Sequence, residues 1–430
     1  MRRIVISALA VAASWTTVSM PAAAVANAPV CGGRPATLVG SSGDDVMRGT
    51  SGVDVIVAGA GDDTVRGYGG GDRICGGRGS DYLMGGSGAD RLYGGLSRLA
   101  VTDEGTTELT GDRLEGGRGN DLFTPGVDRR RADDVFPDDL DFSRAPARVA
   151  VDLQARRAGG AGVGVDTIVL DQALAVTGSA YSDRLYGSRR RDHLIGGAGS
   201  DELRGRAGQD RIYLDPPATS GRADDIAQGG PGDDLITGNA GRDLISGGPG
   251  DDVLEDLGLG ADGFWGGTGN DHVIDQVAQT LVPDIAVYGG RGRDRLTAST
   301  SRLNPSASPS RGSLDLTSER LEWDLLDESH GWVQGRVASV EVFDPMTYGT
   351  TWVVLGTPGS EQVIAGATTR TVFWGRSGDD VFSGSAGNDF FAGSSGTDRV
   401  QYMGQGQDSC RSVEIFDLPP SSQDCESIVP

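Results

Sequence analysis

The chain has no lysine: all 38 of its basic residues are arginine. That absence excludes chemistry built on a lysine amine, such as a P-loop NTPase, a pyridoxal Schiff base or a Ser-x-x-Lys acyl transferase. Histidine is almost as scarce, with only His193, His272 and His330. Neither a His-Glu-x-x-His pair nor a Gly-x-Ser-x-Gly elbow occurs. Aromatics make up 6% and hydrophobic residues 37% of the 430 residues, too few for a thick conventional core. The four cysteines include no Cys-x-x-Cys, so a zinc site has no support. Apart from one stretch near the start, no long apolar run exists, so membrane insertion is not expected.

In place of these there is glycine, 70 residues of it, and acid: 61 Asp and Glu give a net charge of −23. Nucleic acid is a poor partner for such a chain and a cation a good one. Residues 1–26 have the pattern of a secretory leader: Arg2 and Arg3, the apolar run Ile4 to Ala13, and the small-x-small site Ala24-Val25-Ala26. A secreted, extracellular product is expected, in a compartment where cysteines oxidise. Four cysteines allow three pairings. The expected one joins Cys31 to Cys75 and Cys410 to Cys425, one clamp at each end of the chain.

Aspartates recur every nine residues. Asp45, Asp54, Asp63, Asp72, Asp81 and Asp90 form a first run, continued by Asp112 and Asp121 after an interruption. Asp183, Asp192, Asp201 and Asp210 form a second run, and Asp225, Asp234, Asp243 and Asp252 a third, extended by Asp262 and Asp271. Asp294 stands alone, and Asp380, Asp389 and Asp398 close the series. Two residues after each Asp comes an apolar residue in nearly every unit, as in Gly76-Gly77-Arg78-Gly79-Ser80-Asp81-Tyr82-Leu83-Met84.

A triplet such as Tyr82-Leu83-Met84 suits a short strand with its middle side chain turned inward. The six residues before it suit a turn in which Gly adopts backbone angles that other residues resist. Two units then close one coil, and units 18 apart stack on one edge at the strand spacing of roughly 4.8 Å. Neighbouring carboxylates at that distance repel by roughly 3 kcal/mol at an effective dielectric of 20. A divalent cation between turns would remove the repulsion, and hard oxygen donors in flexible loops favour Ca²⁺.

The unit resembles the Gly-Gly-x-Gly-x-Asp-x-apolar-x repeat of the RTX (haemolysin-type) calcium-binding proteins. Eight units match its first six positions in full: those ending at Asp81, Asp90, Asp121, Asp201, Asp234, Asp252, Asp271 and Asp294. The resemblance implies an all-β, right-handed parallel β-roll, a solenoid with Ca²⁺ bound in the turns of both edges. It implies as ligands Asp45, Asp54, Asp63, Asp72, Asp81, Asp90, Asp112, Asp121, Asp201, Asp210, Asp234, Asp243, Asp252, Asp262, Asp271, Asp294, Asp380, Asp389 and Asp398. Backbone oxygens of glycines such as Gly77, Gly79, Gly86 and Gly88 would assist. Three turns depart from the pattern. Arginines replace glycines before Asp192, the Asp225 turn reads Gly221-Arg222-Ala223-Asp224, and Thr50 precedes Asp54.

The expected organisation is a leader (1–26), an N-terminal roll (27–123, with an insertion at 96–110) and a spacer (124–177). A central roll (178–296), a Trp-containing non-repeat segment (297–372), a C-terminal roll (373–408) and a disulfide-closed cap (409–430) follow. The spacer is expected to continue the solenoid without calcium. His193 and His272 flank inward positions and are expected to face solvent. No catalytic domain fits between the repeats, so no enzymatic activity is expected; an RTX-tailed hydrolase is the weakest alternative. A second alternative is an adhesin or matrix protein binding cell-surface or extracellular polymers through segment 297–372, in or beside which Trp323, Trp332, Trp352 and Trp374 fall.

Overall fold

A computed structural model describes residues 29–96, 98–101, 107–126, 138–169, 172–215, 223–259, 262–276, 285–291 and 294–299. Beyond these it describes 311–315, 320–324, 333–338, 342–346, 351–355, 359–365, 370–384, 387–402, 406–413, 415–416 and 428–429. The leader pattern at 1–26, His330, Trp332 and Cys425 lie outside the described residues.

Every described element is a strand, and through the repeats successive strands alternate between two parallel sheets. Thr64–Gly69 pairs in parallel with Tyr82–Ser87, and the intervening Arg73–Arg78 pairs instead with Val55–Ala60 and Arg91–Leu96. Two nonapeptides therefore make one coil, as the 18-residue spacing predicts. The sheets are open stacks lying face to face. They run from Leu38–Val39 and Val46–Arg48 at one end to Ile428–Val429 and Ile415–Phe416 at the other.

The inward position of each triplet forms one column per sheet. In one sheet the register runs Val65, Leu83, Leu114, Leu140, Val176, Leu194, Ile212, Ile236, Leu254, Val273 and Leu296. In the other, Ile56, Ile74, Leu92 and Phe123 stand in register. All but Leu296 and Val273 are wholly buried, and those two nearly so. The core is thus thin and made of one side chain per unit, each contributing roughly 1.5–3 kcal/mol. Near the C-terminal end the core becomes aromatic: Phe373 and Phe391 of the second sheet and Phe382 of the first lie 5.2–6.2 Å apart, centroid to centroid.

The two segments between repeats turn out to share a topology. The first sheet passes through both without a break, by Asp139–Asp141 in one and Val342–Met346 in the other. The second sheet makes an antiparallel detour in each. Gly164–Ile168 pairs antiparallel with Arg157–Gly160, which pairs antiparallel with Val149–Asp152. Likewise Val333–Ala338 meets Arg320–Asp324, which meets Arg311–Asp315. The outer strands of each detour pair in parallel with the coils on either side. The insertion at 96–110 contains an antiparallel ribbon, Arg98–Val101 with Thr107–Thr110.

Cys31 is bonded to Cys75, joining the short hairpin Val30–Cys31/Arg34–Pro35 to the second sheet. Cys410 is disulfide-bonded and buried in the inward column beside Phe391.

Candidate cation sites along the edges

Each turn is held by the coil that follows it. The backbone N–H of Asp45 donates to Oδ1 of Asp63, Asp63 to Asp81, Asp81 to Asp112 and Asp112 to Asp138, at 2.7–2.9 Å. The opposite edge repeats this from Asp54 through Asp72, Asp90 and Asp121 to Asp166. In the central roll one ladder runs Asp183, Asp201, Asp225, Asp243, Asp262. The other runs Asp192, Asp210, Asp234, Asp252, Asp271, Asp294. Near the C-terminal end Glu361, Asp380 and Asp398 form one ladder, and Asp389 and Asp408 belong to the other.

One oxygen of each carboxylate is thus engaged with the backbone. The second, Oδ2, is buried and has no hydrogen-bond partner among the described residues at Asp63, Asp72, Asp81, Asp90, Asp121, Asp201, Asp210, Asp225, Asp234, Asp243, Asp252 and Asp271. A buried carboxylate oxygen without a donor is costly, and a whole row of them calls for a counter-charge. Except at Asp63 and Asp225, whose turns begin with Ala58 and Ser220, these oxygens point at the first glycine of their own turn. A Cβ on Gly76 would collide with Asp81 Oδ2 and the Gly94 carbonyl oxygen, and one on Gly85 with Asp90 Oδ2 and the Gly116 oxygen. Gly205 and Gly229 stand in the same relation to Asp210 and Asp234. Each such glycine therefore leaves room beside a carboxylate oxygen and a carbonyl oxygen from the next coil.

The other glycines bring further carbonyl oxygens to the edge. Gly77, with φ of 122°, lies against the Gly59 oxygen, and its own oxygen lies against Gly95. The Gly86 and Gly88 oxygens lie against Gly117 and Gly119. Gly79, with φ of 136°, donates its N–H to Leu96. No cluster of three or more His, Cys, Asp or Glu side chains occurs among the described residues. Any cation held here would thus be bound by one or two carboxylates and backbone oxygens, a hard, all-oxygen donor set that fits Ca²⁺.

Burial is the dominant electrostatic cost. It pushes the carboxyls of Asp81, Asp90, Asp121, Asp201, Asp210, Asp243 and Asp252 up to about 7. Asp225 and Asp234 rise to about 8. In each case burial raises the value most, a backbone N–H pulls it back, and neighbouring carboxylates, where they act, add less. Mutual repulsion, expected from the spacing to dominate, is the smaller cost; desolvation comes first because these carboxylates are buried at the edge of the roll. Asp262 is pushed up to about 9 by burial and then by the charge of Asp256 beside it.

Nine-residue counting missed several members of the ladders. Asp138 and Asp166 sit in the first spacer, and Glu361 and Asp408 lie at 19-residue steps from Asp380 and Asp389. Irregular loop lengths concealed them, and only the coil-to-coil N–H bond reveals the position. His193 was expected in solvent but is 9% exposed, and burial lowers its pKa to about 4. It packs in register between Ala175 and Arg211, whose neighbouring coils cover it. His272 is half-buried, its Nε2 2.8 Å from the Thr297 hydroxyl.

No curated protein matches the chain. A family model for the RTX calcium-binding nonapeptide repeat, four copies long, matches residues 39–74, 66–97, 110–126, 177–212, 219–254 and 366–400. These matches fall on the coils whose turns carry the aspartate ladders: the chain carries RTX calcium-binding repeats in several copies, stacked as a calcium-binding parallel β-roll.

Proposed function

We propose that this protein works outside the cell as a β-roll loaded with many structural Ca²⁺ ions, and that it folds as they bind. The observation carrying this reading is the row of buried Oδ2 atoms, from Asp63 to Asp271, that no donor among the described residues satisfies. With calcium scarce, these carboxylates must be buried uncompensated, protonated, or left in water by an unfolded chain. With calcium abundant, binding to the folded state alone adds directly to stability. The leader pattern at 1–26 supports export into calcium-rich surroundings. In this reading the ions serve structure, and the chain performs no catalysis.

The test is far-UV circular dichroism of the purified chain, begun in chelator and titrated with Ca²⁺. A cooperative rise of β signal between roughly micromolar and millimolar Ca²⁺ is expected. A β spectrum indifferent to calcium would refute it.

A second reading, a rod that presents a surface to extracellular polymers, is favoured by Trp265, 39% exposed and stacked on Tyr288 at 5.9 Å. Retention on cell-wall polysaccharide that is lost in Trp265→Ala would support it.

A further inference from the structure

Four turns are closed in a different way. Their second position, glycine in the full motif, is Ser41, Thr50, Ser179 or Ser188. In the Asp45, Asp54 and Asp192 turns, both the backbone N–H and the hydroxyl of this residue donate to Oδ2 of the turn's own aspartate, at 2.6–2.9 Å. In the Asp183 turn the Ser179 N–H donates to Oδ2 and its hydroxyl to Oδ1. Each hydroxyl also accepts the N–H two residues further on, from Gly43, Gly52, Tyr181 or Arg190, at 3.1–3.2 Å. The turn is a closed local hydrogen-bond circuit.

The backbone explains the difference. Where Tyr68, Arg206, Arg376 and Ser394 occupy the second position they take φ of 74°, 77°, 78° and 89°, in the region the glycines occupy. Ser41, Thr50, Ser179 and Ser188 do not have positive φ. With φ negative, the N–H of this residue points at Oδ2, where a cation would otherwise lie. Two donor hydrogens at the carboxylate repel a cation and remove the need for one.

The placement is not random. Asp45 and Asp54 are on opposite edges of the first coil of the N-terminal roll. Asp183 and Asp192 are on opposite edges of the first coil after the antiparallel detour. In a stack where each coil gains stability from its neighbours, Val46–Arg48 of the end coil at 40–57 has a strand partner on one side only among the described residues, and the coil at 178–195 is the one on which the regular stack resumes beside the detour strand Val149–Asp152. Closure through partners four residues apart costs little chain entropy.

We infer that residues 40–57 and 178–195 are calcium-independent starter coils: hydroxyl groups take the place of Ca²⁺ in their turns, and the coils template the calcium-loaded coils beyond them. The inference rests on the calcium reading of the remaining turns. The test counts bound radiocalcium on the whole chain by equilibrium dialysis. Asp201→Asn should lose at least one ion, and Asp183→Asn none. Loss from both variants overturns this inference alone; loss from neither overturns the calcium reading beneath it. Thr50→Gly, which completes Gly49-Gly-Ser51-Gly52-Val53-Asp54, should gain one ion. It decides the matter if Asp183→Asn does not fold, since no gain would overturn the inference. Amide exchange in chelator gives an independent readout. Slower exchange at Ser188 and Arg190 than at Gly197 is expected, and equal exchange would overturn the starter role.

Discussion

Replacing Asp234 by Asn separates the two roles of the ladder carboxylate. Asp234 is 2% exposed, its Oδ1 accepts the Asp210 N–H at 2.7 Å, and its Oδ2 lacks a donor. Burial, reinforced by the charges of Asp210 and Asp252, raises its pKa to about 8. Against an ordinary value near 4, carrying this group into the metal-free roll at pH 7 costs on the order of 4 kcal/mol, because a folded value above 7 makes it take up a proton about three units above its ordinary value, each unit being worth 1.36 kcal/mol. Asn keeps the Oδ1 acceptor and removes the charge, so it should recover roughly 2–4 kcal/mol in chelator, allowing for imperfect placement of its amide. In calcium the sign reverses, because the cation loses its anionic ligand. The assay is urea unfolding followed by circular dichroism, in chelator and in millimolar Ca²⁺. The expected result is a higher midpoint or a larger β signal for the variant in chelator, and a lower midpoint in calcium. An equal loss of stability in both media would show that the carboxylate acts only as a hydrogen-bond acceptor, and would refute the reasoning.

Gly76→Ala places a Cβ against Asp81 Oδ2 and the Gly94 oxygen, whereas Gly43 has nothing within 4 Å of that position. Gly76→Ala should cost about 1–3 kcal/mol and weaken calcium binding, and Gly43→Ala should change neither; paired thermal melts and calcium titrations read both. Acid should help the metal-free roll. For carboxyls raised to about 7 or 8, the stabilisation is complete below the unfolded value near 4 and disappears as pH rises through the folded value. The β signal in chelator should therefore grow from pH 7 to pH 5 while calcium affinity falls. His193, lowered to about 4, acts the opposite way but is a single group. Phe382→Ala opens a cavity between Phe373 and Phe391 and should cost about 3–5 kcal/mol, with faster amide exchange confined to the C-terminal coils.

The nonapeptide period was enough to specify the strand, the inward residue, the 18-residue coil and the aspartate positions. All of these follow from local alternation and from Gly conformations repeated along the chain. The inward residues Val65, Leu83, Leu114 and those from Leu194 to Leu296 follow directly from it, whereas Leu140 and Val176 lie in the spacer, outside the period. Three things depended on the tertiary structure. The first is continuity: one sheet crosses both spacers unbroken while the other detours through antiparallel strands, and the irregular spacing at Asp138, Asp166, Glu361 and Asp408 carries no periodic signal. The second is electrostatic: sequence separation predicts charges repelling along an edge, but burial depth and the coil-to-coil N–H bonds decide their actual cost. The third is the division among the turns. Ser41 and Thr50 look like mild deviations from glycine, yet the sign of one backbone angle turns a donor toward the carboxylate. Whether a turn presents oxygen or hydrogen to a cation is settled only when the chain is folded.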